Sequence, residues 1–333
     1  MDEAARARLR DWLAQAAGDP ALGITEMAIL SGGAIQQNWA LDVTLRGAPA
    51  RLVLRTDAPA VLAVSHPRAA EFALLRAAEA AGVTVPRPLF LCEDPGVTGR
   101  PFFVMARAEG IAAAHRVVRD ATLGGGREAL AAALGRELAR VHRIRPPRHD
   151  LRFLGEPPED AARAMVAQLR ARLDEGGVPR PAIEWGLRAL ERAAPPPVAP
   201  VLCHNDFRTG NVMVSARGVE AVLDWEFAGW GDPHQDLGWF CAKCWRFGNV
   251  AQEAGGIGPR QAFYAGYEAE AGTAVDRARM PWWELAATLR WAVIAADQAA
   301  RHLSGQERSL ELALTGHIVP ELEWDAIAMA EGL

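Results

Sequence analysis

Only one of the 333 residues is lysine, Lys243; the other basic residues are all arginine. Basic charge is also short in total, with 36 Lys and Arg against 41 Asp and Glu and a net charge of −5. Nucleic-acid binders normally show a basic patch or stripe, so this balance gives that class no support. No apolar run follows a basic N-terminal start, so no export signal is expected and a cytoplasmic location is the default. Long apolar runs are missing too. The most apolar late stretch, 282–300, carries Glu284, Arg290 and Asp297, which argues against a membrane span. The four cysteines (Cys92, Cys203, Cys241 and Cys244) are expected as reduced thiols. Cys241 and Cys244 have the spacing of a zinc half-site or a redox pair, but no second Cys or His pair stands at ligand spacing. Set among Trp239, Phe240 and Trp245, they read as core packing.

Half of the residues are hydrophobic and 23% charged, and the length allows two lobes with a core each. An amphipathic helix is predicted over 2–17, capped by Asp2 and ended by Gly18-Asp19-Pro20. Partly alternating segments at 24–30, 38–45 and 51–55 read as strands, followed by a helix at 67–81 and strands at 89–92 and 101–106. Beyond about 109 the pattern is helical, at 127–143, 159–174, 182–193, 233–247, 259–271, 281–303, 307–314 and 319–330. The expected architecture is α+β and bilobal. Residues 1–108 would form a small antiparallel β-rich nucleotide-binding lobe with an N-terminal helix, and 109–333 a larger, mainly helical catalytic and substrate-binding lobe.

The chain is organised around 201–226. Two β-prone runs, 212–214 and 219–223, flank Ser215-Ala216-Arg217-Gly218, which reads as a hairpin turn. The hairpin should bring Asn211 and Asp224 together at its open end, with Asp206 held beside them by a short loop. A carboxylate and a carboxamide oxygen side by side form a hard-oxygen site of the kind Mg²⁺ prefers. A second carboxylate, Asp206, can orient a hydroxyl and accept its proton. The order Asp-x4-Asn, hairpin, Asp is that of the kinase catalytic loop and its metal-binding Asp.

Taken together, His204-Asn205-Asp206 through Asn211, then Asp224-Trp225-Glu226 and Gly231-Asp232-Pro233-His234-Gln235-Asp236-Leu237, resemble the aminoglycoside phosphotransferase and choline kinase superfamily. The resemblance runs from about 24 to 291 and is specific in the two central motifs. It implies a protein-kinase-like fold, ATP and Mg²⁺ as cofactors, and a small-molecule hydroxyl as acceptor. It also implies that His204 braces the loop and that Asp236 is the buried aspartate fixing the loop backbone. Glu226 stays open between a second-metal ligand and a surface residue.

On the nucleotide side, Ser31, Gly32 and Gly33 lie between the first two strands, where backbone N–H groups can approach phosphate oxygens. Arg55 ends the third strand, where kinase-like folds carry a lysine paired with a glutamate on the next helix; Glu71 is the matching glutamate. Arginine keeps the charge and adds a planar fork. Residues 102–108 would form the edge strand and hinge, with backbone near Met105 and Ala106 reading an adenine edge. Asp224 and Asp236 are twelve positions apart, with no Asp-Phe-Gly, long activation segment or Ala-Pro-Glu between or after them. The platform on which protein kinases lay a peptide is therefore absent. On the predicted helix 281–303, Trp283, Arg290 and Asp297 recur every seven residues and could hold a polar acceptor, or form a core tryptophan beside an intrahelical ion-pair stripe. Arg55 and Asp224-Trp225-Glu226 look more like the broad phosphotransferase group, some of whose members accompany acyl-CoA dehydrogenases, than like dedicated resistance enzymes. The alternative is a non-catalytic, kinase-like nucleotide-binding regulatory module, against which the intact Asp206, Asn211 and Asp224 count.

Overall fold

A computed structural model describes residues 1–30, 36–57 and 65–333. The first helix, α1 (Glu3–Ala17), begins where Asp2 accepts the Ala5 N–H at 2.7 Å and ends at Gly18, whose φ of 61° suits glycine. Next come β1 (Gly23–Leu30), β2 (Gln36–Leu45), β3 (Ala48–Asp57), α2 (Arg68–Ala80), β4 (Pro88–Cys92), the short α3 (Pro95–Thr98) and β5 (Phe102–Ala106). The strands form one antiparallel sheet in the order β1-β2-β3-β5-β4.

The period-2 alternation of the strands sorts side chains between the two faces of this sheet. Leu52, Leu54, Phe102 and Val104 join Leu9 and Leu13 of α1 in one core. Val53, Phe103 and Met105 point the other way, into a core shared with Phe72 and Leu75 of α2. Arg55 is in phase with Val53, so it faces α2. The sequence expectation of an edge strand at 102–106 is corrected here. Strand β5 lies between β3 and β4, as its four buried apolar residues require of a strand covered on both faces.

The remainder is mainly helical: α4 (Ala114–Arg119), α5 (Arg127–Val141), α6 (Ala161–Gly176), α7 (Pro181–Arg192), α8 (Pro233–Cys241), α9 (Arg260–Ala271), α10 (Met280–Leu303), α11 (Leu310–His317) and α12 (Val319–Ala330). Between α7 and α8 lie β6 (Val201–Cys203), β7 (Val212–Ser215), β8 (Gly218–Val222) and β9 (Gly229–Gly231). Strands β7 and β8 are the expected hairpin; the β6–β9 pair that clasps the loop base was not foreseen. Helices α5 and α9 cross through glycine. A Cβ on Gly135 would stand 2.0 Å from the Phe263 carbonyl oxygen, and one on Gly266 2.0 Å from that of Ala132. The core containing Val53 and Phe103 continues into Leu134 and Leu138 of α5, Val212 and Val222 of the hairpin, and Phe240 of α8. It is thus continuous across residue 108. A third core joins α6, α7, α10 and α12.

The helix expected over 233–247 stops at Cys241. Ala242 turns extended (ψ 141°), and the Arg246 guanidinium donates to the Cys241 carbonyl at 2.9 Å. Helix α11 starts at Leu310, where the Ser309 hydroxyl accepts the Leu312 N–H at 3.4 Å. Among the described residues, no helix is long and apolar enough to cross a membrane.

Candidate active site

The loop between β6 and β7 carries His204, Asp206 and Asn211, and every part of it is tied down. Asp236, fully buried in the first turn of α8, accepts the His204 N–H at 2.6 Å and the Asn205 N–H at 2.8 Å, and its Oδ2 also lies 3.2 Å from His142 Nε2. Burial works against its ionised form, but hydrogen bonding and charge from the His142 side hold its pKa below the usual carboxylate value. The His204 ring spans the loop. Its Nε2 is 2.9 Å from the Leu223 carbonyl and its Nδ1 accepts the Asp206 N–H at 3.2 Å, which fixes the tautomer with the proton on Nε2.

Asp206 is held by donors. Oδ1 accepts from Arg208 Nε and Trp239 Nε1, each at 3.1 Å, and Oδ2 accepts from Asn211 Nδ2 at 2.5 Å. Asn211 Nδ2 also reaches the Asp206 carbonyl at 2.9 Å, which leaves the amide oxygen as the acceptor atom of that side chain. Across the hairpin mouth, the Leu223 N–H donates to the Asn211 carbonyl at 2.8 Å, so Asp224 follows directly beside the loop. Asn205 and Asp224 both have left-handed φ, 65° and 66°, a conformation that Asn and Asp tolerate better than most residues. Asp206, Asn211 and Asp224 all line one cleft of about 1500 Å³.

On the β3–α2 side of the cleft, Arg55 Nε bonds Glu71 Oε2 at 3.0 Å. Its Nη2 also donates to Asp224 Oδ1 at 2.6 Å, a link the sequence did not suggest. Arg68, one turn before Glu71, pairs with Glu71 and with Asp57 and donates to the His66 carbonyl. Glu71 sits in the first turn of α2, where the helix dipole favours a carboxylate. Burial alone would lower the Arg55 pKa, but Glu71 and Asp224 outweigh it and keep the guanidinium charged. Asp224 is likewise disfavoured by burial, yet Arg55 holds it below the ordinary carboxylate range. Glu226 is buried rather than on the surface. Burial, and then the Asp224 charge, push it up to about 7.

Met105 and Ala106 line the cleft. However, the Ala106 N–H donates to the Arg87 carbonyl and the Arg107 N–H to the Arg51 carbonyl, both at 2.9 Å. Ser31, Gly32 and Gly33 lie outside the described residues.

The three residues proposed to contact the acceptor separate. Arg290 and Asp297 line the cleft, but Trp283 does not. The residue is 1% exposed, and α8 packs closely on it: a Cβ on Gly238 would come within 2.8 Å of the Trp283 backbone and Cβ. A seven-residue repeat falls about 20° short of two helical turns, so equal spacing alone does not keep side chains on one edge of a straight helix. Asp297 pairs with Arg172 on α6 at 2.5 Å, not within its own helix. The Arg290 guanidinium turns to the catalytic loop and lies 4.5 Å from the Trp239 ring centre. Sequence reasoning missed Arg208, Trp239 and Arg68 as site residues. The available signals were a cation two positions after Asp206 and an aromatic one turn after Asp236. The thiols of Cys241 and Cys244 are both pushed up to about 12 by burial, in keeping with core packing.

A family model described as "Phosphotransferase enzyme family" matches residues 26–283. Acyl-CoA dehydrogenase family member 10 of Mus musculus is 31% identical over 204 residues, covering 59% of this chain and 19% of that protein. Acyl-CoA dehydrogenase family member 11 of Gallus gallus is 31% identical over 199 residues, covering 58% and 25% respectively. The chain thus matches about a fifth to a quarter of the length of these curated relatives. Among solved structures, a candidate aminoglycoside phosphotransferase from Ralstonia eutropha superposes with a TM-score of 0.76 at 21% identity over 98% of each chain. A choline/ethanolamine kinase family protein from Mesorhizobium loti gives 0.56 at 18% identity, covering 98% of this chain and 94% of that one. Spectinomycin phosphotransferase, in complex with ADP and spectinomycin, gives 0.62 at 13% identity, covering 97% and 98%. These structures share the α+β kinase-like fold, and the extent of the family match settles membership: the chain belongs to the phosphotransferase enzyme family.

Proposed function

We propose that this protein transfers the γ-phosphoryl group of ATP, in the presence of Mg²⁺, to a hydroxyl group of a small molecule. One observation carries the reading: Asp206, Asn211 and Asp224 converge on one cleft, with the Asn211 amide nitrogen turned to Asp206 and its oxygen left as a ligand atom. An amide oxygen beside an ionised carboxylate is a donor set that fits a hard divalent cation. Asn211 and Asp224 would hold the magnesium ion, which when bound neutralises charge on the phosphate oxygens. Asp206 orients the acceptor hydroxyl and takes its proton. The acceptor oxygen then bonds to the γ-phosphorus as the bond from that phosphorus to the β,γ-bridging oxygen breaks, and ADP leaves. Arg55, braced by Glu71, clamps the nucleotide phosphates.

In this reading residues 1–108 supply the nucleotide side and 109–333 the catalytic and acceptor side. Only β9 and a short turn separate Asp224 from α8, which supports a small acceptor over a peptide. The ADP and spectinomycin named for one structural neighbour support a nucleotide and a small polyhydroxyl compound as the kinds of ligand to test. No observation favours a regulatory module without turnover. The assignment is tested by titrating Mg²⁺ against bound ATP in the wild type and in Asp224→Ala. Nucleotide binding should depend on Mg²⁺ in the wild type and lose most of that dependence in the variant. An unchanged Mg²⁺ requirement in Asp224→Ala would overturn the metal assignment.

A further inference from the structure

Arg290 is an arginine in a costly place. It is half-buried among α8, α10 and the loop between β6 and β7, and desolvation pulls its pKa below the ordinary arginine value against the opposing charges of Asp206 and Asp236. Among the described residues no carboxylate pairs with it. Guanidinium groups taken largely out of water normally have such a partner. Instead it makes two contacts, and both lead to Asp206.

The first contact is with the backbone. Arg290 Nη1 donates to the Asn205 carbonyl at 2.7 Å. That oxygen belongs to the same rigid peptide plane as the Asp206 N–H, which is held by His204 Nδ1 at 3.2 Å. The plane that launches the Asp206 side chain is therefore pinned at both ends. The pin matters because Asn205 holds a left-handed φ of 65°, a conformation that persists only where its surroundings enforce it. The second contact is with a side chain. The guanidinium stacks on the Trp239 ring at 4.5 Å, and Trp239 Nε1 donates to Asp206 Oδ1 at 3.1 Å. A planar cation suits this stacking position, which lysine would fill poorly.

We propose that Arg290 is a positioning residue that fixes both the backbone and the carboxylate of Asp206, acting through the Asn205 carbonyl and the Trp239 indole. This rests on the reading of Asp206 as the base. It moves Arg290 from acceptor binding, where its place on α10 had pointed, to aiming the base.

The test uses the whole chain and Mg·ATP hydrolysis, with water as the acceptor. In Arg290→Ala, kcat should fall roughly 100-fold while KM for ATP stays within about twofold, the signature of a lost transition-state arrangement rather than lost nucleotide binding. Arg290→Lys should lie between, and it carries the same measurement if the alanine variant does not fold. Trp239→Phe should lower kcat about 10-fold, and the double variant should be little worse than Arg290→Ala alone, as expected of residues acting in one chain of contacts. Unchanged kcat in Arg290→Ala, a change confined to KM for ATP, or losses that multiply in the double variant would overturn the proposal. A second readout needs no turnover. The Trp239 indole N–H resonance, assigned by its loss in Trp239→Phe, should move upfield in Arg290→Lys and Arg290→Ala as its bond to Asp206 weakens. If the wild type hydrolyses no ATP without its acceptor, this resonance alone decides: a shift supports the positioning role, and an unmoved resonance overturns it.

Discussion

At the phosphate end of the cleft, Arg55, Arg68 and Glu71 have side chains that are 9% exposed or less, and they lock onto one another and onto Asp224. At the opposite mouth, Arg172 and Asp297 pair with side chains 43% and 29% exposed, and Arg301 and Glu307 pair in a similar setting. Both ends are lined with ion pairs, yet the two sets differ in what they can do. Buried charges must keep their partners, so the phosphate end is a rigid frame around the chemistry. Half-exposed pairs contribute little and can be exchanged, so the acceptor end can be altered while the fold stays intact. On the proposed function, the difference means that phosphoryl transfer would be built into the scaffold, whereas acceptor choice would sit in replaceable surface groups.

The sharpest way to test that contrast is at its midpoint. Asp206→Ala should lower transfer on the order of 10²- to 10⁴-fold while leaving Mg·ATP binding nearly intact, read from steady-state rates beside equilibrium nucleotide binding. Next in size is stability at the rigid end. Glu71→Ala takes one carboxylate partner from each of two buried arginines, leaving Arg55 with Asp224 and Arg68 with Asp57, and denaturant unfolding should show a loss of about 3 kcal/mol, the low end for a broken buried pair. Arg55→Ala should weaken ATP binding by roughly one to two decades, since a charge-assisted phosphate contact is worth ~1.5–3 kcal/mol, with Arg55→Lys falling between. If Arg55→Ala binds ATP as tightly as wild type, Arg55 is not a phosphate clamp.

Glu226 adds a pH dependence to the rigid end. Its folded pKa of about 7 stands above the ordinary value of 4.5, so between these two pH values the folded chain holds a proton that the unfolded chain has released. Stability should therefore fall as pH rises through that window and level off above it. Glu226→Gln should remove the fall, leaving the metal-free variant about 1–2 kcal/mol more stable than wild type near pH ~8 and equal to it near pH ~4. The smallest effect belongs to the open end: Asp297→Ala should change unfolding free energy by only about 0–1 kcal/mol. A loss at Asp297 as large as that at Glu71 would erase the contrast.

The same contrast explains what could be read from the sequence. Asp206 and Asn211 lie on the loop that enters the β7–β8 hairpin and Asp224 just beyond it, so their spacing translates directly into proximity. Arg55 and Glu71 sit on a strand and the helix that follows it, so periodicity alone turns one toward the other. The Arg55–Asp224 bond joins residues 169 positions apart, and Arg172–Asp297 joins residues 125 apart, separations that no local pattern encodes. Trp283 misled for a related reason. Helical spacing gives the direction of a side chain, but only the packing of α8 against α10 through Gly238 decides whether that direction is cleft or core. Strand β5 was placed at the sheet edge because sequence order does not reveal that β4 pairs beyond it.

Following the labelled γ-phosphate of ATP into a pool of small hydroxylated metabolites tests the central claim most directly. With Mg²⁺, the wild type should form a labelled phosphomonoester together with ADP. Replacing Mg²⁺ with EDTA should abolish that product, and replacing Asp206 with alanine should slow its formation on the order of 10²- to 10⁴-fold. Mg²⁺-dependent nucleotide binding with no labelled product from any pool, or labelling by Asp206→Ala at the wild-type rate, would contradict the account.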